Sequence, residues 1–323
     1  MKLIIQIPCF NEAQTLSIAL AALPRTVPGF DTVEWLIIDD GSGDNTLRVA
    51  NENGVDHIVR HTRNQGLARA FMTGLDASLR LGADVIVNTD ADNQYNAEDI
   101  PALTQPILQH CAELVIGARP IATIEHFSPV KKLLQKLGSW VVRVASRTDV
   151  PDAPSGFRAM SRAAAQRMMV FNDYTYTLET IIQAGQKNMA IMSVPIRVNK
   201  DLRPSRLVKS IPSYIKRSII TIVRIFIIYQ PFRFFGTIGL ALFSAGFFIS
   251  LRFLWHYLND DGEGHIQSLI LAALLLGMGF QTILIAFVAD LLAANRMLLE
   301  DIRFKSAALS PNESVDLGSR ENG

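Results

Sequence analysis

Two long apolar stretches, 234–257 and 266–289, limit most strongly what this chain can fold into. Each exceeds the roughly 20 residues a helix needs to cross about 30 Å of hydrocarbon. The first holds one full charge, Arg252, near its far end, and the second holds none. Two adjacent core helices of a soluble domain would not be joined by so short and polar a link as Leu258-Asn259-Asp260-Asp261-Gly262-Glu263-Gly264-His265. The pattern predicts a transmembrane hairpin. Lys216, Arg217, Arg224 and Arg233 precede the first span, Arg296, Arg303 and Lys305 follow the second, and the link has no Lys or Arg. The excess of cationic flanks on one side places both termini in the cytoplasm.

The remainder is not a membrane pattern. From the start to about residue 118, short apolar runs at 2–7, 33–39, 56–60, 84–89 and 113–117 alternate with helical patterns at 12–23, 44–53, 65–81 and 97–110. Such alternation predicts βαβ units and a mostly parallel sheet covered on both faces. The opening run breaks at Pro8, too early for the core of a signal peptide, and reads as a first strand. Residues 119–210 are less regular. Segment 131–146 is amphipathic with a basic face, and 207–230 is apolar but interrupted by Lys209, Lys216, Arg217 and Arg224. Charges are costly inside a bilayer, so both segments suit a membrane surface better than a span. An ordinary surface helix is the alternative for 131–146. The expected organisation is an α/β domain over 1–210, an interfacial helix over 211–231, two spans within 232–300 and a disordered tail over 301–323.

The net charge of +1 gives no reason to expect a nucleic acid partner. Two cysteines, Cys9 and Cys111, without a CxxC pair, argue against a disulfide framework or a thiolate metal site. The chemistry gathers instead at the carboxyl ends of strands, where open α/β sheets bind ligands. Asp90-Ala91-Asp92-Asn93-Gln94 follows the run Val85-Ile86-Val87-Asn88. If it is extended, residues two apart point the same way, and Asp90, Asp92 and Gln94 offer three oxygen ligands on one side. Hard cations such as Mg²⁺ or Mn²⁺ take that set, with substrate phosphates completing the shell. A polar turn after the strand is the alternative, since Asp and Asn are common turn residues. The first strand ends in Pro8-Cys9-Phe10-Asn11-Glu12 and the second in Asp39-Asp40-Gly41-Ser42-Gly43. Gly41 and Gly43 permit tight turns and close ligand approach. A dinucleotide fingerprint is excluded, because Thr46 stands where its third glycine would be.

These three segments together resemble the fingerprint of family 2 glycosyltransferases. More narrowly, the chain resembles polyprenyl-phosphate glycosyltransferases of the dolichyl-phosphate mannose synthase type. The resemblance implies a GT-A (Rossmann-like) catalytic domain, juxtamembrane amphipathic helices and a two-helix transmembrane hairpin. It implies that Pro8, Phe10 and Glu12 line the nucleotide pocket, that Asp40 contacts the base, and that Asp90, Asp92 and Gln94 hold the metal and diphosphate. Gly117-Ala118-Arg119 matches a segment ending near the lipid phosphate, and Ser155-Gly156-Phe157-Arg158 a segment below the active site. Arg203-Pro204-Ser205-Arg206 stands where the family has an arginine followed by a Ser-Lys pair. Around the acceptor phosphate the expected residues are therefore Arg119, Lys131, Ser155, Arg158, Arg203 and Arg206, with Asp92, Arg119 and Arg203 as the catalytic set. Phe10 replaces the usual tyrosine, Asn93 a usual apolar residue, and Arg206 a common lysine.

The implied reaction moves one sugar from a nucleotide-diphosphate donor to a polyprenyl phosphate, with inversion, on the cytoplasmic leaflet of a plasma membrane. Such a lipid-linked sugar would serve cell-envelope glycan or glycoconjugate modification. A lipid monophosphate is already anionic near neutral pH, so it needs cations to dock it more than a base to deprotonate it. A processive polysaccharide synthase shares the catalytic fold but carries a Gln-x-x-Arg-Trp motif, and this chain has no Arg-Trp pair. A non-catalytic scaffold would not need Asp90, Asp92 and Gln94. Glu179 is placed either at the sugar or on a helix surface. His57, His61, His110 and His126 are read as surface or core residues. Use of the hairpin by a single chain and homo-oligomer assembly through Gly277-Met278-Gly279 are both compatible with the sequence.

Overall fold

The computed structural model describes residues 1–120, 129–170, 176–199, 211–259 and 266–309. They form two compact units, Met1–Ile222 and Val223–Gly323. In the first, β1 (Lys2–Cys9), α1 (Leu16–Ala22), β2 (Thr32–Asp39), α2 (Thr46–Glu52), β3 (His57–Arg60), α3 (Leu67–Arg80), β4 (Val85–Asn88), α4 (Ile100–Leu108) and β5 (Leu114–Ala118) alternate as the apolar periods predict. The less regular half supplies α5 (Pro129–Ser146), β6 (Arg158–Ser161), α6 (Arg162–Arg167), α7 (Thr177–Gln186), β7 (Ile191–Pro195) and α8 (Ile211–Tyr229). Neither β6 nor β7 was expected. The two apolar stretches are α9 (Pro231–Leu258) and α10 (Ile266–Leu309).

One seven-stranded sheet runs β3-β2-β1-β4-β6-β5-β7. Only β6 is antiparallel to its neighbours β4 and β5. The fold is thus α/β with a mixed sheet. Ile5, Ile7, Val85, Val87 and Val115 have no exposed surface. Strands covered on both faces can be apolar throughout, which is why they read as runs rather than alternations. Each such side chain contributes about 1.5–3 kcal/mol on burial. Helix α3 lies close on the sheet at Gly74, where a Cβ would stand 2.6 Å from Gln6 Oε1 and 2.8 Å from Ile38. Register pairs Cys9 with Asp39 on one side of β1 and Gln6 with Asn88 on the other. The carboxyl ends of β2, β1 and β4 therefore lie side by side.

In the second unit α9 and α10 are long and apolar enough to cross a membrane, by length and composition. Only 11% and 17% of their most apolar segments are buried within the protein, the reverse of soluble core helices. They pack on each other through glycines. A Cβ on Gly279 would stand 2.6 Å from Phe243 N, and one on Gly239 3.0 Å from Gly279 O. Gly279 thus serves the packing within the hairpin, whereas Gly277 meets nothing within 4 Å. Helix α10 runs past residue 289 to Leu309, so 301–309 are helical rather than a disordered tail. Residues 310–323 lie outside the described residues.

Candidate active site

The loops that leave β1 and β2 are stitched to one another. Asn11 adopts φ +55, its N–H donates to Ser42 Oγ at 2.9 Å, and its Oδ1 accepts from Gly43 N at 2.9 Å. Glu12 N donates to Thr46 Oγ1 at 2.9 Å. Gly41, at φ +74, runs so close to the next loop that a Cβ would stand 2.6 Å from the Arg63 carbonyl carbon. No other residue type fits there without moving backbone.

Asp40 is nearly fully buried and already engaged. Its Oδ1 accepts from Gln65 N at 2.8 Å and lies 2.7 Å from His61 Nδ1, and its Oδ2 accepts from Gly66 N at 2.8 Å. His61 in turn reaches Thr73 Oγ1 at 3.0 Å. Asp40 lines the cleft and also holds residues 61–66 ahead of α3. His61 is a core histidine with a defined task, held between Asp40 and Thr73.

The carboxylate segment differs from the extended form assumed for it. Strand β4 ends at Asn88, the chain turns at Ala91-Asp92, and Asn93 is left-handed at φ +55. Gln94 N donates to Asp92 Oδ1 at 3.2 Å, closing a local turn. Asp90, Asp92 and Gln94 still face one cleft, of about 450 Å³, together with Pro8, Phe10, Glu12, Asp40 and Arg119. That volume lies in the range of small-molecule sites. Asn64, Gly66, Leu67 and Ala70 from the start of α3 line it as well.

Beneath Asp90 lies a buried polar network. Gln6 Nε2 donates to Asn88 Oδ1 at 2.9 Å, and Asn88 Nδ2 donates to Gly156 O at 2.9 Å and Tyr176 Oη at 2.8 Å. Gly156 N donates to Tyr95 Oη at 3.0 Å. A Cβ on Gly156 would meet Tyr176 Oη at 2.9 Å and both Asp90 oxygens at 3.1–3.2 Å. The glycine of that segment is there to admit the carboxylate. Burial, then the neighbouring charge of Asp92, pushes Asp90 up to about 7. Arg119 and Arg158 offset this only in part. Two carboxyl groups short of positive charge, with an amide oxygen beside them, are a donor set that fits a hard divalent cation. Among the described residues no group of three or more His, Cys, Asp or Glu could hold a metal, so substrate oxygens would have to complete the shell.

Arg119 enters the cleft from the end of β5. Asp152 clamps it, accepting from Nε at 2.7 Å, Nη2 at 2.9 Å and the backbone N–H at 3.1 Å. A two-pronged pair of this kind fixes the guanidinium plane. Asp152 was not foreseen, because a single carboxylate in an irregular segment gives no spacing signal. Two expected phosphate ligands are corrected. Ser155 and Arg158 are fully buried and do not line the cleft. Arg158 donates to Thr177 O at 3.1 Å and to Thr180 Oγ1 and Ser155 O, with its guanidinium 5.4 Å from the Tyr176 ring centroid. It braces the floor of the site. Glu179 is buried on α7 rather than on a helix surface. Lys131 falls on α5 by its backbone, with its side chain outside the described part. Arg203 and Arg206 lie outside the described residues, as does His126.

The mixed sheet with its cleft at adjoining strand ends is a glycosyltransferase fold of the GT-A type. It resembles glucosyl-3-phosphoglycerate synthase from Mycobacterium tuberculosis, solved with Mn²⁺, uridine-diphosphate and phosphoglyceric acid. The TM-score is 0.52 at 19% identity, covering 68% of this chain and 78% of that one. The likeness is one of fold. The model of glycosyl transferase family 2 matches residues 4–169. The chain belongs to this family and is a glycosyltransferase. Its relatives include the undecaprenyl-phosphate mannosyltransferase of Micrococcus luteus, 28% identical over 64% of this chain and 88% of that protein. The UDP-N-acetylglucosamine–dolichyl-phosphate N-acetylglucosaminyltransferase of Methanococcus voltae is 30% identical over 59% and 83%. The dolichol-phosphate mannosyltransferase of Pyrococcus furiosus is 26% identical over 80% and 73%.

Proposed function

We propose that this chain is a membrane-anchored, metal-dependent glycosyltransferase of the polyprenyl-phosphate type. It moves one hexose-type sugar from a nucleotide-diphosphate donor to a polyprenyl phosphate on the cytoplasmic leaflet, inverting the anomeric centre. Residues 1–210 carry the chemistry, α8 lies at the membrane surface, and α9 and α10 anchor the chain. The observation that carries the reading is the cleft itself: the Asp90/Asp92 pair and the clamped Arg119 face one space, in a chain with two helices of spanning length. The names of three relatives, each a transferase to a polyprenyl or dolichyl phosphate, support the acceptor class.

Mg²⁺ or Mn²⁺ held by Asp90, Asp92 and Gln94 would offset the charge that grows on the leaving diphosphate. Pro8, Phe10 and Glu12 take the nucleotide at the end of β1, and Asp40 keeps the facing 61–66 loop in shape for it. A phosphate oxygen of the lipid attacks the anomeric carbon, a carbon–oxygen bond forms, and the bond to the nucleoside diphosphate breaks. No general base is required, because the attacking oxygen is already anionic. Arg119, held in orientation by Asp152, orients that phosphate, with Lys131, Arg203 and Arg206 as further cations. Ser155 and Arg158 support the site from below.

The test is transfer to undecaprenyl phosphate by the purified chain in detergent, with radiolabelled UDP- and GDP-sugars and Mg²⁺ or Mn²⁺. Transfer from one donor, abolished by EDTA and lowered about 10²–10³-fold in Asp92→Ala, is the expected result. Nucleotide binding without transfer to any lipid phosphate would overturn the acceptor. Absence of nucleotide binding would leave a scaffold as the better account.

A further inference from the structure

Three residues beyond β7 run antiparallel to the carboxylate segment and are bonded to it at every step. Arg197 N donates to Asp99 Oδ2 at 2.7 Å, and its guanidinium pairs with Asp99 at 2.7 Å and Glu98 at 3.0 Å. Asn96 N donates to Arg197 O at 3.3 Å, and Tyr95 and Val198 form a β-bridge. Asn199 closes the series. Its backbone N–H donates to Gln94 O at 2.9 Å. Its side-chain Nδ2 donates to Asn93 O at 3.0 Å and Tyr95 O at 3.3 Å, with Asn93 Oδ1 at 3.4 Å.

Asn199 therefore occupies three successive carbonyls, those of residues 93, 94 and 95. The first belongs to a left-handed residue flanked by Asp92 and Gln94. A left-handed turn is a conformation that most residues leave readily, and asparagine is among the few side chains that tolerate it. The turn is thus held from outside as well as favoured by its own residue.

We infer that Asn199 is a positioning residue for the Asp92-Asn93-Gln94 turn: by bridging its carbonyls it keeps Asp92 and Gln94 aimed at one cation. This rests on the functional reading above, since it presumes that the turn binds a metal. The departure at position 93 then has a purpose, because an apolar side chain there would neither favour φ +55 nor meet Asn199.

The experiment is Mn²⁺ binding by the full-length chain in detergent with UDP or GDP present, read from the free-ion electron paramagnetic resonance signal. Hydrogen exchange of the 92–95 amides without metal, and Tm, are measured alongside. Asn199→Ala should weaken Mn²⁺ binding about 10- to 100-fold, the usual cost of losing a partner that orients a ligand. It should also speed exchange at 92–95 with a small change in Tm. Asn93→Gly, which keeps both the carbonyl and the left-handed backbone, should bind near the wild-type level. If Asn199→Ala does not fold, Asn93→Ala serves instead, because it disfavours the turn and should weaken Mn²⁺ in the same direction. Wild-type affinity in the folded alanine variants overturns this inference and leaves the functional reading standing. A wild-type chain that binds no Mn²⁺ with either nucleotide overturns both.

Discussion

The two units of this protein use the same side chains in opposite ways. Val87 and Ile5 in the α/β unit have no exposed surface, whereas Phe248 on α9 and Leu274 on α10 leave 67% and 58% of theirs uncovered. The first unit hides its apolar groups from water in a sheet covered on both faces. The second turns them outward and brings its backbones together at Gly239, Gly246 and Gly279. Small residues at a helix contact are how apolar helices associate when the surroundings are as apolar as their side chains. Each unit is consistent with its own solvent, water for one and, in the function proposed here, lipid for the other.

Substitution by a polar group should break this contrast most sharply. Val87→Asp buries a carboxylate beside β1 and β6 with no partner, at a cost above about 4 kcal/mol, and should abolish the folded α/β unit. Phe248→Ser should leave the thermal transition of that unit and its nucleotide binding unchanged. Unfolding followed by tryptophan fluorescence and a nucleotide-binding isotherm measure both. Equal damage from the two would mean that α9 is a core helix after all. Of similar size, but on the rate alone, is Asp92→Ala. Loss of one group stabilising developing charge typically costs 10²–10³-fold, so transfer should fall by about that factor while Tm holds.

Glycines refine the comparison at a scale of about 1–3 kcal/mol, the usual cost of forcing atoms into a filled space. Gly156→Ala drives a methyl toward the Asp90 oxygens and Tyr176, so it should lower Tm and weaken Mn²⁺ binding together. Gly279→Ala drives one toward Phe243 N in the hairpin, so it should loosen α9 from α10 and leave Mn²⁺ binding intact. A cross-linking assay between cysteines placed on the two helices reports the second effect.

How far these features are legible in the sequence follows the same physics. Strands β1, β2, β4 and β5 announce themselves because burial on both faces demands unbroken apolar runs. Strand β6, Arg158-Ala159-Met160-Ser161, has no such run, and it is a strand because β4 and β5 pair with it on either side. That pairing buries Arg158, which the family resemblance put at a phosphate; its partners Thr177 O, Thr180 Oγ1 and Ser155 O are not visible in the sequence. Among the cleft residues, Asp40, Asp90, Asp92 and Gln94 were identifiable from position at strand ends, whereas Pro8, Phe10, Glu12 and Arg119 were named through the family resemblance. Their supports, Asp152, Tyr95, His61 and Asn199, were not, because each meets its partner across a long stretch of chain. The extended reading of 90–94 failed at Asn93, whose left-handed backbone no alternation pattern encodes.

The last expected effect is a slope with pH in the α/β unit. Asp90 titrates at about 7 in the folded protein and near the ordinary 3.9 when unfolded. Between those values the unfolded chain has released a proton that the folded chain still holds. Stability of the metal-free α/β unit should therefore fall as pH rises from about 4 to about 7, and level off above. Mn²⁺ with nucleotide should flatten this slope by supplying the missing positive charge, and Asp90→Asn should remove that share of it. Urea titrations at a series of pH values, with and without Mn²⁺, measure this slope. A slope that Asp90→Asn leaves unchanged would mean that the carboxylates at the end of β4 are already neutralised within the protein, and that the case for a cation there fails.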